Sequence, residues 1–338
     1  MLLQKTVGIV MLNWNGLAMT KSCVTSLRRQ TYKDFQIIVI DNGSIDDSIA
    51  WLERQPDILL IKNSHNLGFA RALNQGISKA LSLHASYVAA INNDAMLDRD
   101  WLKHLVAYME THKNTGFAQG ATLQDGNKHL YDSSGIYLER GFIPNQRAFG
   151  QDNPRLDIPA VGPNAAVALY RATMLKQVQQ RNGDFFEGRF FAYVEDVDFD
   201  LRCTLRGFDF AFVPAAQTYH EGSATGNRIA KRKMFWGARN LVWLVYKNAS
   251  RGVFRQTWRL IIRSHLANLQ FLWREQRPHF LPYLCGLVVG IVCIPRFYGD
   301  RSENLKRQKL TDDAFLSLLV PSNPPLHNPF RRQRSLVK

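Results

Sequence analysis

The strongest constraint in this chain is a repeated pattern: short apolar runs, each closing in polar residues, with helix-like stretches between them. Val7–Asn13 closes in Asn-Trp-Asn-Gly, and a helical stretch follows to about residue 29. Phe35–Asp41 closes in Asp-Asn-Gly-Ser, after which Asp46 is placed to cap a short helix. Ile58–Lys62 leads into Asn66-Leu67-Gly68 and a helix from about Phe69. Tyr87–Asn92 closes in Asn-Asp. Continuous apolar runs of five to seven residues alternating with helices predict βαβ units and a mostly parallel sheet. In such sheets ligands gather at the carboxyl ends of the strands, where the polar residues Asn13, Asp41, 63–66 and 92–94 fall.

Beyond residue 116 the texture changes. Residues 128–140 read as β-structure with turns, 165–171 as a strand and 171–180 as a helix. A helix starts at Glu195-Asp196 and stops at Gly207, a strand covers 208–214, and Tyr219-His220 follow. From residue 228 onward there are 21 basic and 5 acidic side chains, so the excess of +16 more than accounts for the whole chain's net charge of +15. Basic residues here alternate with Phe235, Trp236, Trp243, Trp258 and Trp273. That mixture suits a helical region resting on an anionic membrane surface. RNA binding is the rival reading, but no nucleic-acid motif accompanies the charge, so nucleic acid is not expected as a partner. Residues 280–295 carry no charge but number only 16, short of a span of about 20; they are expected to dip into the bilayer or to form a hairpin around Pro282. The tail from about 320 is expected to be loose. The four cysteines, Cys23, Cys203, Cys285 and Cys293, form no C-x-x-C pair, which favours a reduced compartment. The first apolar run is too short for a secretory signal.

Four constellations carry chemistry. Asp41 and Asn13-Trp14 sit where a carboxylate can accept from a base or a ribose hydroxyl and an aromatic can pack on the base, although Asp41 also suits an Asx turn. No G-x-G-x-x-G or G-x-x-x-x-G-K-[ST] follows the first run, which argues against dinucleotide and P-loop enzymes. Asn92-Asn93-Asp94 suits a hard divalent cation, magnesium or manganese, that neutralises a diphosphate leaving group; a capping loop before the next helix is the plainer reading. Glu195-Asp196 offers a general base, or simply acids favoured by a helix N-terminus. Asp198, Asp200 and Arg202 read as helix-surface or pairing residues. His220 follows a strand that could bring its imidazole back to the metal.

Taken together, residues 7–16, 38–46, 66–76, 92–94 and 191–202, with Gly207 and His220, resemble glycosyltransferase family 2, in particular its rhamnosyltransferase-like subgroup. The matching motifs run in the family's order over about residues 6–225. The resemblance implies a GT-A (Rossmann-like) α/β fold, with a nucleotide-binding half at about 1–115 and an acceptor and catalytic half at about 116–227. A basic amphipathic helical region would follow at 228–319. It implies inverting single displacement from a nucleotide-diphosphate sugar such as dTDP-rhamnose to a hydroxyl of a lipid-linked or polysaccharide acceptor; the basic C-terminal third and the unpaired cysteines add the expectation of a peripheral or monotopic protein at the cytoplasmic face of the cell membrane. Asp196, supported by Glu195, would match the base. Asn13, Trp14, Asp41, Asn66, Gly68, Asn92, Asp94 and Gly162 would line the donor, with Asp94 and His220 on a divalent cation. One departure is that the family's DXD-type motif reads Asn92-Asn93-Asp94 and so lacks its first carboxylate. The alternative is a catalytically silent sugar-nucleotide-binding or scaffold protein, against which the Glu195-Asp196 pair argues.

Overall fold

The computed structural model describes residues 6–153, 156–220 and 229–322. The tail beyond 322 and the proposed boundary at 227/228 lie outside the described residues.

Strands β1 (Val7–Asn13), β2 (Phe35–Asp41), β3 (Ile58–Lys62) and β4 (Tyr87–Asn92) alternate with helices α1 (Leu17–Arg28), α2 (Ser48–Leu52) and α3 (Phe69–Ser82). The four strands are parallel, in the order β3-β2-β1-β4. β1 and β2 are buried almost end to end because helices cover both faces of the sheet. On one face α1 and α4 (Trp101–Thr111) cover Ile9, Met11, Val39 and Ile91; on the other α3 and later helices cover Val10, Ile38, Ile40 and Val88.

The sheet then turns mixed. β10 (Val167–Arg171) runs antiparallel between β4 and β6 (Thr115–Gln124). β11 (Asp209–His220) runs parallel to β6 and antiparallel to β5 (Ala95–Leu97). β7 (Asn127–Ser133) pairs with β6, while β8 (Ile136–Leu138) and β9 (Pro144–Gln146) form a separate ribbon. Sequence reading separated 208–214 from Tyr219-His220. The chain instead keeps one strand through an irregularity between Val213 and Gln217, and this carries His220 to the sheet's end opposite Ala95.

Two further helices, α5 (Ala172–Val178) and α6 (Glu195–Leu205), precede β11, and Gly207 ends the α6 turn at φ +83°. Asp46 is not the cap of α2; the capping position is Asp47. Asp46 instead accepts from Ser48 N (3.1 Å) and Leu17 N (3.3 Å), tying α2 to α1.

The C-terminal part is helical: α7 (Ala230–Asn248), α8 (Arg251–Glu275), α9 (Arg277–Val292), α10 (Tyr298–Arg307) and α11 (Asp312–Leu318). Ser250 caps α8 through Val253 N, and Thr311 caps α11 through Ala314 N. The expected hairpin around Pro282 is not formed there. The chain turns at Gln276, and Pro282 lies inside α9. α9 lies along α7, where Trp243 Nε1 donates to Gly290 O at 2.9 Å. No single described helix is long and apolar enough to cross a membrane. α9 taken with 294–307 passes on length and composition but bends by 58°. The helices share a core with the sheet half: Leu138, Phe142, Val197 and Leu201 pack with Leu244, Val253, Phe315 and Leu319. Val320 also exchanges backbone hydrogen bonds with Leu138 and Arg140.

Candidate active site

At the carboxyl end of the parallel strands, Asn13 pairs with Asp41 and Leu12 with Asn92. Asn13 Nδ2 donates to Asp41 Oδ2 (2.7 Å), and Ser44 N to Asp41 Oδ1 (2.9 Å). Asn13 Oδ1 accepts from Thr20 Oγ1 (2.7 Å) and Asn93 Nδ2 (3.1 Å). Asp41 and Asn13 are thus buried beneath the loops they fix. Ser44 and Trp14, both half-buried, lie in the loops that follow β2 and β1.

A second layer extends from Asn42, whose side chain joins Asn66 Oδ1 (3.1 Å), Gly68 O (3.3 Å), Leu67 N (3.0 Å) and Asn63 Nδ2 (3.1 Å). Gly68 has φ +86°, and a Cβ there would lie 2.6 Å from Phe191 O. Both facts require glycine at the start of α3.

The three residues of Asn92-Asn93-Asp94 diverge. Asn92 ends β4, with its N–H on Ala166 O (2.7 Å). Asn93 turns inward to Asn13 and Thr20. Asp94 turns to β11, where its Oδ1 lies 3.2 Å from His220 Nε2, while His220 Nδ1 bonds Asp132 Oδ2 at 3.0 Å. The Asp94 and His220 atoms are both buried, yet neither makes an aligned hydrogen bond. A carboxylate oxygen and an imidazole nitrogen facing one space suit a shared cation. Among the described residues they are a pair and not a complete ligand cluster. Burial would push His220 down, but Asp132 and Asp94 outweigh it and raise its pKa to about 10; a cation on Nε2 would have to displace the proton held there.

α6 carries the remaining acids. Glu195 is buried with Oε2 unpartnered, and Asp196 is partly exposed, its Oδ1 accepting from Val197 N (2.8 Å). Burial raises both carboxyls; Asp196 raises Glu195 further, while backbone N–H groups of Val197 and Ala165 oppose the rise at Asp196. Of the coupled pair, Glu195 is pushed up further than Asp196 and is the one that holds a proton more readily. Asp198, Asp200 and Arg202, expected on the helix surface or in pairs, are all buried. Asp198 pairs with Arg202 (3.1 Å) and Lys247 (2.9 Å). Asp200 has no partner for either oxygen among the described residues and packs against Gly162, where a Cβ would lie 2.2 Å from its carboxyl carbon. Gly162 therefore admits Asp200.

The loop entering α6 is strained. Phe191, Tyr193 and Val194 have φ of 67°, 70° and 70°, positions that non-glycine residues avoid and a β-branched residue avoids most. Two α7 residues that sequence reading passed over hold it. The buried Asn240 side chain donates to Phe190 O (3.0 Å), Ala192 O (3.0 Å) and Tyr193 O (2.7 Å). Lys247, also fully buried, bonds Glu187 and Asp198 at 2.9 Å each. Their signal was present in the sequence as polar residues seven apart on an otherwise apolar helical face.

This fold, with its acids at one sheet edge, defines a GT-A glycosyltransferase. The model of "Glycosyl transferase family 2" matches residues 8–178, and the chain belongs to that family. Among curated relatives, an uncharacterised glycosyltransferase of Haemophilus influenzae is 30% identical over 108 residues, 31% of this chain. The chain spans about a third (32%) of that protein's length. The N-acetylglucosaminyl-diphospho-decaprenol L-rhamnosyltransferase of Mycobacterium tuberculosis is 26% identical over 282 residues, covering 75% of this chain and 90% of the relative. A solved mannosyltransferase from Pyrobaculum calidifontis, in complex with GDP-Man and Mn2+, superposes with a TM-score of 0.54 at 14% identity. It covers 99% of this chain and 84% of its own.

Proposed function

We propose that the chain transfers a sugar, with inversion, from a nucleoside-diphosphate donor to a hydroxyl of a lipid-linked or polysaccharide acceptor at an anionic membrane surface. The observation that carries this reading is the convergence of Asp94, His220 and the Glu195-Asp196 pair on the edge where β1, β2 and β4 end: Asn92 N bonds Ala166 O, and Ala165 N reaches Asp196. Trp14, Ser44 and the Asn66–Gly68 loop hold the nucleoside over the Asn13-Asp41 floor. Asp94 and His220 would hold magnesium or manganese, which supplies charge neutralisation for the departing diphosphate. Asp196 takes the acceptor's proton as its oxygen attacks the anomeric carbon. Glu195 beside it, the member of the pair pushed further up, would take the pair's proton first and so limit the negative charge at the site.

Rhamnose from a dTDP donor and a lipid diphosphate acceptor are supported by the M. tuberculosis relative's name and by the family resemblance. Membrane contact is supported by an exposed stripe on α8 at near-helical spacing (Phe254, Trp258, Ile262, Leu266 and Trp273) bordered by Arg255, Arg259 and Arg263, and by Leu281, Val288, Ile291 and Val292 on α9. The test is a thermal-shift screen of nucleotide sugars with magnesium or manganese, followed by transfer assays. A metal-dependent rise with one donor and turnover of that donor are expected; no shift and no turnover with any donor would end the reading. Flotation with anionic but not neutral vesicles checks the membrane contact.

A further inference from the structure

Beside the catalytic loop, not lined by Asp94, Asp196 or His220 but sharing Asn66 and Leu67 with the loop assigned to the nucleoside, lies a cleft of about 460 Å3 between the start of α3, the 188–191 loop, α7 and residues 296–297. Four arginines, Arg71, Arg189, Arg239 and Arg296, line it together with the rings of Phe191 and Trp236, 4.7 Å apart, and no carboxylate does. The four differ in how their charge is met. Arg189 is held by Glu187 (2.7 Å) and Asp300 (2.6 Å). Arg239, half-buried, lies 4.3 Å over Trp243 and donates to Phe190 O at 2.8 Å and Asn240 Oδ1 at 3.0 Å. It has no ion pair among the described residues, and the same holds for the exposed Arg71 and Arg296. Arg239 and Arg296 have no acid of their own among the described residues, and Arg71 has only Asp184 in its field without a close ion pair; around one cleft the three form a site for a multiply charged anion. Immediately before and after Arg296 in the chain, Ile291, Val292 and Tyr298 are 60%, 71% and 74% exposed. The cleft therefore couples a polyanion site to an apolar rim, and Phe191 connects it to the loop that presents Asp196.

We propose that this cleft binds the diphosphate of a lipid-linked sugar acceptor, with the lipid chain leaving across the end of α9 and the sugar directed past Phe191 and Trp236 towards Asp196. This rests on the reading above that the acceptor is lipid-linked. It adds the place where the acceptor is held and the residues that discriminate a diphosphate lipid from a neutral one. A diphosphate also belongs to the donor, so the test separates the two sources.

The full-length protein is compared with an Arg71→Ala/Arg296→Ala variant, both positions lying at the surface, and with Arg54→Ala, an exposed arginine outside the cleft. Flotation uses phosphatidylcholine vesicles containing polyprenyl diphosphate or, separately, polyprenol; calorimetry follows free dTDP, UDP and GDP. The expected result is a preference of tenfold or more for diphosphate vesicles in the parent and in Arg54→Ala, lost in the double variant. Whichever free nucleoside diphosphate the parent binds should bind the double variant unchanged. In transfer assays, the double variant should show a KM for the lipid acceptor raised tenfold or more and an unchanged donor KM. A double variant that keeps the vesicle preference overturns the proposal, and so does one that loses nucleoside-diphosphate affinity instead, since the cleft would then serve the donor. Turnover to a soluble acceptor without any vesicle preference in the parent ends this proposal and leaves the transferase reading standing. A vesicle preference with no turnover of any donor does the reverse.

Discussion

The two sides of the active edge are built on opposite principles. On the nucleoside side, Asn13, Asp41, Asn42, Asn63 and Asn66 hydrogen-bond to one another and to nearby backbone, all from loops within the first 70 residues. On the catalytic side, Asp94, Glu195, Asp200 and His220 carry buried atoms without an aligned partner, and the loop before Asp196 bends through three left-handed non-glycine residues. What holds that loop comes from far away in the chain: Asn240 and Lys247 on α7. A saturated network makes a rigid floor, because every buried polar group is already satisfied. An unsaturated, strained loop pinned from a distance keeps carboxylates available for chemistry and makes the C-terminal helices part of the catalytic apparatus.

The contrast is broken most severely at Asp196, the proposed base. Asp196→Asn removes the proton acceptor while preserving shape, and transfer should fall by about 10^2–10^4-fold, with donor affinity retained in calorimetry. Near-parental turnover would show that Asp196 is not the base. Next in size is Lys247→Met, which leaves Glu187 and Asp198 buried with one cation fewer. Although burial opposes their ionisation, Lys247 with Arg189 holds Glu187 below the ordinary carboxylate range, and Lys247 with Arg202 does the same for Asp198. Losing the lysine should cost about 3–5 kcal/mol in urea unfolding at pH 7. The sign follows from linkage: both folded pKa values lie below the unfolded ones. The network's contribution is therefore complete above the ordinary carboxylate pKa of about 4 and fades as the pH falls towards the folded values. The parent and Lys247→Met should accordingly converge in stability in acid.

Asn240→Ala comes third. It frees three carbonyls of the strained loop, each bond contributing about 1 kcal/mol, so unfolding should ease by about 1–3 kcal/mol. Because the loop presents Asp196, kcat should drop about tenfold while donor affinity measured by calorimetry stays fixed. Equal loss at both would mean that the two sides are not separate.

The nucleoside side was largely legible in the sequence, and the catalytic side only in part. β1 to β4 and α3 follow from apolar periodicity and from turn residues whose role is local, and Asp41 showed both of its possible readings at once, the turn being the one that its hydrogen bonds express. The adjacency of Glu195 and Asp196 was visible too. The partners that hold them were not, because a residue 45 positions away on an amphipathic helix leaves only a polar interruption of an apolar face. His220's position likewise depends on β11 continuing through an irregularity at Pro214, a residue that in the sequence reads equally well as the end of the strand. Asp198, Asp200 and Arg202 read as helix-surface or pairing residues; Asp198 and Arg202 do pair, but charge pattern alone does not reveal that a second layer of helices covers that face and buries all three.

The last expected effect is a change of pH slope at Asp200, which is the sharpest probe of the catalytic side's unsatisfied polarity. Both of its oxygens are buried without a partner, and burial, with the nearby charge of Asp196, pushes its carboxyl well above the ordinary range. A raised folded pKa means that the native protein holds a proton that the unfolded chain releases. Stability is therefore highest below the unfolded pKa and declines as the pH rises from there towards the folded value. Asp200→Asn removes that titration but keeps the shape beside Gly162, so its stability should decline less between about pH 4 and pH 7. The two unfolding curves, measured in urea across that interval, should diverge with rising pH in the variant's favour. Parallel curves would mean that a partner stabilises the Asp200 carboxylate, and that this side of the edge is as saturated as the floor beneath the nucleoside.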